Sequence, residues 1–183
     1  MVRGTSFAPF VTNLDWSNGK LRHDHLHDKD ELAQAAEKIK DPKVRAEAAA
    51  SLGMTEEFLT HALTPANLGF IPNPEGQSRS KGSCGDSLEL YLRIKEGQVG
   101  DVRFMPEGCV HTIACGSALT TLVKGLSLED AAKVDAKKID ETLGGLPREH
   151  QHCAALAATA LRSALRDYFE KTKQPWKRIY GNR

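Results

Sequence analysis

Three cysteines stand where a ligating or reactive thiol would be useful. Cys84 lies in the glycine-flanked run Gly82-Ser83-Cys84-Gly85-Asp86, Cys109 follows Gly108, and Cys153 follows His152. A thiolate is a soft donor for transition metals and a nucleophile toward sulfur. The carboxylate of Asp86 and the imidazole of His152 are harder donors that can complete such a site. The gaps of 25 and 44 residues between the cysteines match no zinc-finger spacing, and the sequence has no CxxC pair. Spacing alone therefore leaves metal ligands, reactive thiols and buried apolar side chains all open. The fourth cysteine, Cys115, follows Cys109 by six residues, a turn and two-thirds of helix, so it faces elsewhere and reads as a core thiol.

The elements that must position these side chains can be read on either side of them. Leu88, Leu90, Leu92 and Ile94 alternate with Glu89, Tyr91 and Arg93, the pattern of a strand buried on one face. Glu96-Gly97 supplies a turn and residues 99–104 the returning strand, so an antiparallel hairpin is predicted just after Cys84. A helix follows from Val110 to Val123, closed by Lys124-Gly125, and Ser127 with Asp130 caps another short one. The longest predicted helix spans 151–170, with Ala155, Leu156, Ala160, Leu161, Ala164, Leu165 and Phe169 at three-to-four spacing. Cys109 and Cys153 thus fall near helix N-termini, where the macrodipole and free N–H groups favour the thiolate. Upstream, two short helices are predicted at about 30–40 and 42–52, the second opened by Asp41-Pro42 and stopped by Gly53. Thr55 then caps a helix through Leu63, and Pro65, Gly69, Pro72, Pro74 and Gly76 enforce a loop. A strand pair followed by a block of helices predicts an α+β fold. Its small antiparallel sheet, the hairpin plus an added strand, packs against a layer of helices, with an extra helical N-terminal extension.

Local sequence and order carry the reading further. CGD before a strand, GC before a helix, VKG closing that helix, and Leu146-Pro147 leading to His152-Cys153 together resemble the IscU and NifU N-terminal family of iron–sulfur cluster assembly scaffolds. The resemblance runs over about residues 55–170. It includes His61-Ala62-Leu63-Thr64-Pro65-Ala66-Asn67-Leu68-Gly69, which is similar to the family's HY-x-NPRNVG opening, and a hairpin ending in Arg103-Phe104. It implies that Cys84, Cys109 and Cys153 are the cluster or metal thiolates, and that Asp86 is a further ligand or promotes cluster release. It also implies that His152 is an alternative ligand, and that Cys153 accepts persulfide sulfur from a cysteine desulfurase. The implied cargo is iron and an iron–sulfur cluster of the 2Fe-2S type, with zinc able to occupy the cluster-free form. Because a carboxylate fits an iron–sulfide site less well than a thiolate, such a cluster forms yet can leave, which a scaffold needs. The implied partners are the desulfurase, apo iron–sulfur proteins, an electron donor and chaperones, and the chain would act as a monomeric or homodimeric carrier with no turnover of its own.

The sequence also departs from the family. The stretch that recruits an Hsp70-type chaperone in some members stands here as Leu146-Pro147-Arg148-Glu149-His150, without the second proline and with His150 in place of the lysine. The resemblance therefore does not carry that recognition over intact. Three segments follow: an N-terminal extension at 1–53, a scaffold-like domain at 54–170 and a tail at 171–183. In the extension, His23, His25 and His27 would project on one side of an extended segment, able to bind zinc, nickel or iron, or would form a solvated polar turn. The tail has five basic residues interleaved with Trp176 and Tyr180, a mixture that suits an acidic protein surface or stacked bases.

Composition narrows the alternatives. The 183 residues are 40% apolar and 27% charged, ordinary for a folded globular chain, and the net charge of +1 argues against a generally polycationic nucleic-acid binder. MVRGTSFAPF has neither the apolar run nor the cleavage site of a secretory signal, and no window reaches membrane-spanning length, which places the expectation in the cytoplasm and away from membranes. Two rival readings use the same residues. A zinc module would close a tetrahedral site with the three thiolates and Asp86 or His152. A thiol enzyme would use Cys153 as nucleophile with His150, His111 or His61 as base.

Overall fold

The computed structural model describes residues 37–173. The extension's histidines, residues 30–36 of its first predicted helix and residues 174–183 of the basic tail lie outside the described residues. The first helix, α1 (Pro42–Leu52), starts as its sequence dictates: Asp41 accepts from the Lys43 N–H, proline takes the first turn, and Gly53 closes the end at φ 63°. Ala48 and Ala49 of α1 are buried in the same core as the rest of the described chain. Thr55 caps α2 (Glu56–Leu63) by accepting from the Phe58 N–H, and its own hydroxyl donates to the Leu143 carbonyl far along the chain.

Three strands follow, β1 (Gly76–Lys81), β2 (Ser87–Lys95) and β3 (Gln98–Glu107), paired antiparallel in the order β1-β2-β3. Leu90 faces Phe104 and Leu92 faces Val102 across the predicted hairpin, and all four side chains are fully buried. Each such leucine contributes on the order of 1.5–3 kcal/mol relative to exposure. Glu96 and Gly97 both take positive φ, 53° and 77°, as a two-residue hairpin loop of matching twist requires. The returning strand is longer than the pattern 99–104 predicts, running on through Pro106. Proline is tolerated there because β3 is an edge strand.

The added strand is β1, whose start lies at the end of the predicted loop. Its residues, Gly-Gln-Ser-Arg-Ser-Lys, show no apolar alternation. It is held instead by close approach to the last helix. A Cβ on Gly76 would sit 2.5 Å from the Ala164 carbonyl oxygen, Ser78 donates to the Ala160 carbonyl at 2.8 Å, and the Gln77 N–H donates to Asp167 at 2.8 Å.

The helices α3 (Val110–Val123) and α6 (Gln151–Lys173) cover the sheet, with α4 (Leu128–Ala132) and α5 (Ala136–Thr142) between them in sequence. Helix α3 is buried on nearly every side, and it approaches β3 so closely that a Cβ on Gly116 would lie 2.4 Å from the Phe104 ring. A short 3-10 turn, Arg148–His150, leads directly into α6, which extends three residues past the predicted 151–170. The architecture is α+β, one small antiparallel sheet against helices, as expected from the sequence. Among the described residues no helix is long and apolar enough to cross a membrane.

Candidate metal centre

The loop before β2, the junction of β3 with α3, and the first turn of α6 meet at one end of the sheet. They bring together an oxygen of Asp86 and the sulfurs of Cys109 and Cys153, all within 4.8 Å of one another and all buried. Local geometry explains each placement. Cys109 is the N-cap of α3, in extended conformation and without a side-chain capping bond of its own. The capping role passes to Asp86, whose Oδ2 accepts from the Cys109 N–H at 3.0 Å and from the Thr112 hydroxyl at 2.7 Å. Gly108 makes room for this clasp, since at φ 156° a Cβ would fall 2.2 Å from the Asp86 carboxyl carbon. Cys153 is the third residue of α6 and is fully buried.

The two buried sulfurs lie 3.7 Å apart, and the Cys109 sulfur also meets the Thr112 hydroxyl at 3.6 Å. They share one proton unequally. The hydrogen bond from Cys153 is the main reason the Cys109 thiol is pushed down to about 2; burial opposes this, while His111, Thr112 and Asp86 add smaller downward contributions. That same bond, followed by burial, raises the Cys153 thiol well above the usual thiol range. Cys109 is therefore the thiolate of the pair and Cys153 its proton donor.

Cys84 does not join the three. It is exposed on the loop between β1 and β2, where the Gly82 N–H donates to the Asp86 carbonyl at 2.8 Å and Gly85 adopts φ 93°. His152, beside Cys153 on α6, is half-buried and also outside the group, its ring 6.3 Å from that of His150. Adjacent helical residues diverge by about 100°, which accounts for the separation. Cys115 is fully buried in α3, and burial raises its thiol beyond the usual range, in keeping with a core thiol.

One nearby residue carries more than the sequence pattern suggests. His111, the second residue of α3, is 3% exposed, and its Nδ1 has no hydrogen-bond partner among the described residues. Its ring stacks on His150 at 3.6 Å between centroids and 10° between planes, and tilts against Phe58 at 5.0 Å. It also borders a cavity of about 410 Å³ between Met54, Phe58, Leu146 and Pro147. Burial is the main cause lowering the His150 imidazole, and the neighbouring His111 adds to it. A histidine two residues after a cysteine at the start of an otherwise apolar helix was the available signal, but nothing in sequence spacing links it to His150.

Two thiols and a carboxylate in mutual reach at helix starts define an α+β domain with a donor set of metal-binding type. The comparison with known families places it more narrowly: residues 53–175 match the NifU-like N-terminal domain, and the chain belongs to that family. The resemblance read from the CGD, GC and HC motifs is thus borne out. The chain is 36% identical over 118 residues to the iron–sulfur cluster assembly scaffold protein IscU 1 of Archaeoglobus fulgidus, covering 64% of this chain and 77% of that protein. It is 35% identical over 124 residues to the iron–sulfur cluster assembly scaffold protein IscU of Aquifex aeolicus, covering 66% of this chain and 79% of that one. A crystal structure of a nitrogen-fixing NifU-like protein, N-terminal part, from Brucella abortus shares the fold, with a TM-score of 0.51 at 19% identity over 64% of this chain and 94% of that chain.

Proposed function

We propose that this protein is a scaffold on which iron–sulfur clusters are assembled and from which they pass to apo-proteins, acting as a carrier with no turnover of its own. The observation that carries the reading is the buried Asp86, Cys109 and Cys153 donor set within 4.8 Å, in a chain of the NifU-like N-terminal family. The ligands are Cys84, Cys109 and Cys153 with Asp86, and the cargo is a 2Fe-2S cluster built from ferrous iron and desulfurase-derived sulfur. His152 serves as an alternative ligand when the first turn of α6 adjusts. Cys153 is the sulfur acceptor: its deprotonated sulfur attacks the outer sulfur of the desulfurase persulfide, forming a Cys153 persulfide and releasing the desulfurase thiolate. The Cys153 proton, shared with the Cys109 sulfur 3.7 Å away, passes to solvent or to a base of the desulfurase as the attack proceeds. In the cluster-free form the same donors suit zinc.

The donor set accounts for lability. A carboxylate in place of a fourth thiolate weakens one corner of an iron–sulfide site, and Cys84 is exposed, so a second corner opens to solvent and to a recipient. The test is anaerobic loading with ferrous iron, cysteine and a cysteine desulfurase, followed by addition of an apo-ferredoxin. Stoichiometric iron and sulfide on this chain, then transfer to the ferredoxin faster than from free iron and sulfide in a chelator, is expected. A protein that takes up no sulfide, or holds a cluster that no recipient can remove, would overturn the scaffold role.

A further inference from the structure

The two oxygens of Asp86 stand in unequal states. Oδ2 accepts from the Cys109 N–H at 3.0 Å and from the Thr112 hydroxyl at 2.7 Å, which engages both of its lone pairs, whereas Oδ1 makes no hydrogen bond among the described residues. No lysine or arginine among the described residues pairs with this buried carboxylate, so those two donors and the start of α3 are what meet its charge. Of the two donors, only the hydroxyl depends on the side chain at its position.

Thr112 is the third residue of α3 and is 1% exposed. Its N–H already donates to the Cys109 carbonyl at 3.0 Å, so it is the side chain that reaches Asp86. Threonines elsewhere in the helices behave differently: Thr121, Thr142 and Thr159 each return the hydroxyl proton to the carbonyl four residues back. Thr112 gives its one proton to a carboxylate 26 residues earlier in the chain, and its oxygen lies 3.6 Å from the Cys109 sulfur. It thus stands between two donors of the site.

We propose that Thr112 sets the rate at which the cluster leaves, by holding Asp86 Oδ2 and so limiting the carboxylate to a weakened, single-oxygen bond to cluster iron through Oδ1. The proposal rests on the scaffold reading and names a residue that regulates its site. Each proton a carboxylate accepts draws on the electron pairs it would share with a metal, and hydroxyl bonds to a charged acceptor are among the stronger ones. With the hydroxyl gone, the Cys109 N–H still orients the group, so Oδ2 is freed to share in binding while the carboxylate keeps its place. Thr112 is a positioning residue: it acts on iron only through Asp86.

The full chain, reconstituted anaerobically with ferrous iron, cysteine and a cysteine desulfurase, tests this through the half-life of its visible absorbance in excess chelator and through transfer to apo-ferredoxin. Thr112→Val should lengthen both half-lives roughly three- to tenfold, and Thr112→Ser, which keeps the hydroxyl, should leave them within about twofold. In the Asp86→Ala background Thr112→Val should change release by less than about twofold, because the carboxylate it acts on is gone. In the metal-free protein the Asp86 carboxyl carbon resonance should shift in Thr112→Val and return in Thr112→Ser. A residue that merely fills the core predicts the opposite sign, faster loss in Thr112→Val with or without Asp86. Unchanged or faster release in Thr112→Val, a full effect that persists in Asp86→Ala, or an unmoved carboxyl resonance would overturn the proposal. If Thr112→Val does not fold, Thr112→Ala removes the hydroxyl without adding bulk and is judged by the same outcomes. An unsubstituted chain that assembles no cluster would sink the scaffold reading itself, whereas a cluster that forms and leaves at a rate indifferent to Thr112 sinks only this inference.

Discussion

Cys84 and Asp86 are two residues apart, yet they belong to opposite kinds of surroundings. Asp86 is buried and clasped by the Cys109 N–H and the Thr112 hydroxyl across a glycine that leaves it space. Cys84 stands exposed between Gly82 and Gly85, in a loop where a Cβ on Gly85 would meet nothing within 4 Å. One half of the site is fixed by the start of α3 before any metal arrives, and the other half is open. A scaffold has use for that division: the preorganised half captures iron without paying the ordering cost at binding, and the open half admits sulfur and lets the finished cargo go.

Glycine substitutions break the comparison most sharply. Gly108→Ala places a methyl inside the Asp86 carboxyl group and should cost about 2–4 kcal/mol of stability in chemical denaturation, with loss of metal binding. Gly85→Ala faces only the strain of its positive φ, so about 1–2 kcal/mol is expected, with metal binding retained. Equal costs at the two positions would mean that the clasp is no tighter than the loop.

Asp86→Ala comes next. It leaves the Cys109 N–H and the Thr112 hydroxyl without their acceptor, so the metal-free protein should lose about 1–3 kcal/mol. Its cluster, deprived of the weak carboxylate corner, should nevertheless survive longer under oxygen and chelator. Faster loss than in the unsubstituted protein would count against a release role for Asp86.

A smaller effect sharpens the electrostatics of the buried half. Because Cys109 is pushed down chiefly by its bond from Cys153, the metal-free protein should keep one thiolate as pH falls through the ordinary thiol range. Thiolate ultraviolet absorbance measured against pH should show it, lost in Cys109→Ser. In Cys153→Ser the serine hydroxyl donates less to the sulfur than the thiol did, and the remaining Cys109 transition should move upward. An unchanged transition would show that the pair is not coupled.

How much of this was readable beforehand follows from what each element depends on. The caps Asp41-Pro42, Gly53, Thr55 and Ser127 act locally, so their helices could be placed from sequence, and the leucines of β2 announced their buried face. Strand β1 could not, because nothing in Gly-Gln-Ser-Arg-Ser-Lys alternates; it is a strand through close backbone approach and polar bonds to α6, more than eighty residues on. The short helix α5 carries no legible pattern for a related reason, resting on one buried side chain, Ile139, and the Asp135 cap. In the site, the motif order singled out Cys84, Asp86, Cys109, His152 and Cys153, and the structure gathers Asp86, Cys109 and Cys153. The exposure of Cys84 and the stacking of His111 on His150 are tertiary facts with no local trace.

The most direct test of the central claim, a buried half that holds iron and an open half that completes the cluster, is iron and acid-labile sulfide content after anaerobic reconstitution of the unsubstituted protein and of Cys84→Ser, Cys109→Ser and Cys153→Ser. Stoichiometric iron and sulfide with thiolate charge-transfer bands are expected in the first. Cys84→Ser should bind ferrous iron but little sulfide, and the other two should bind little of either. A cluster of undiminished content in Cys109→Ser and Cys153→Ser would contradict the assignment of the site.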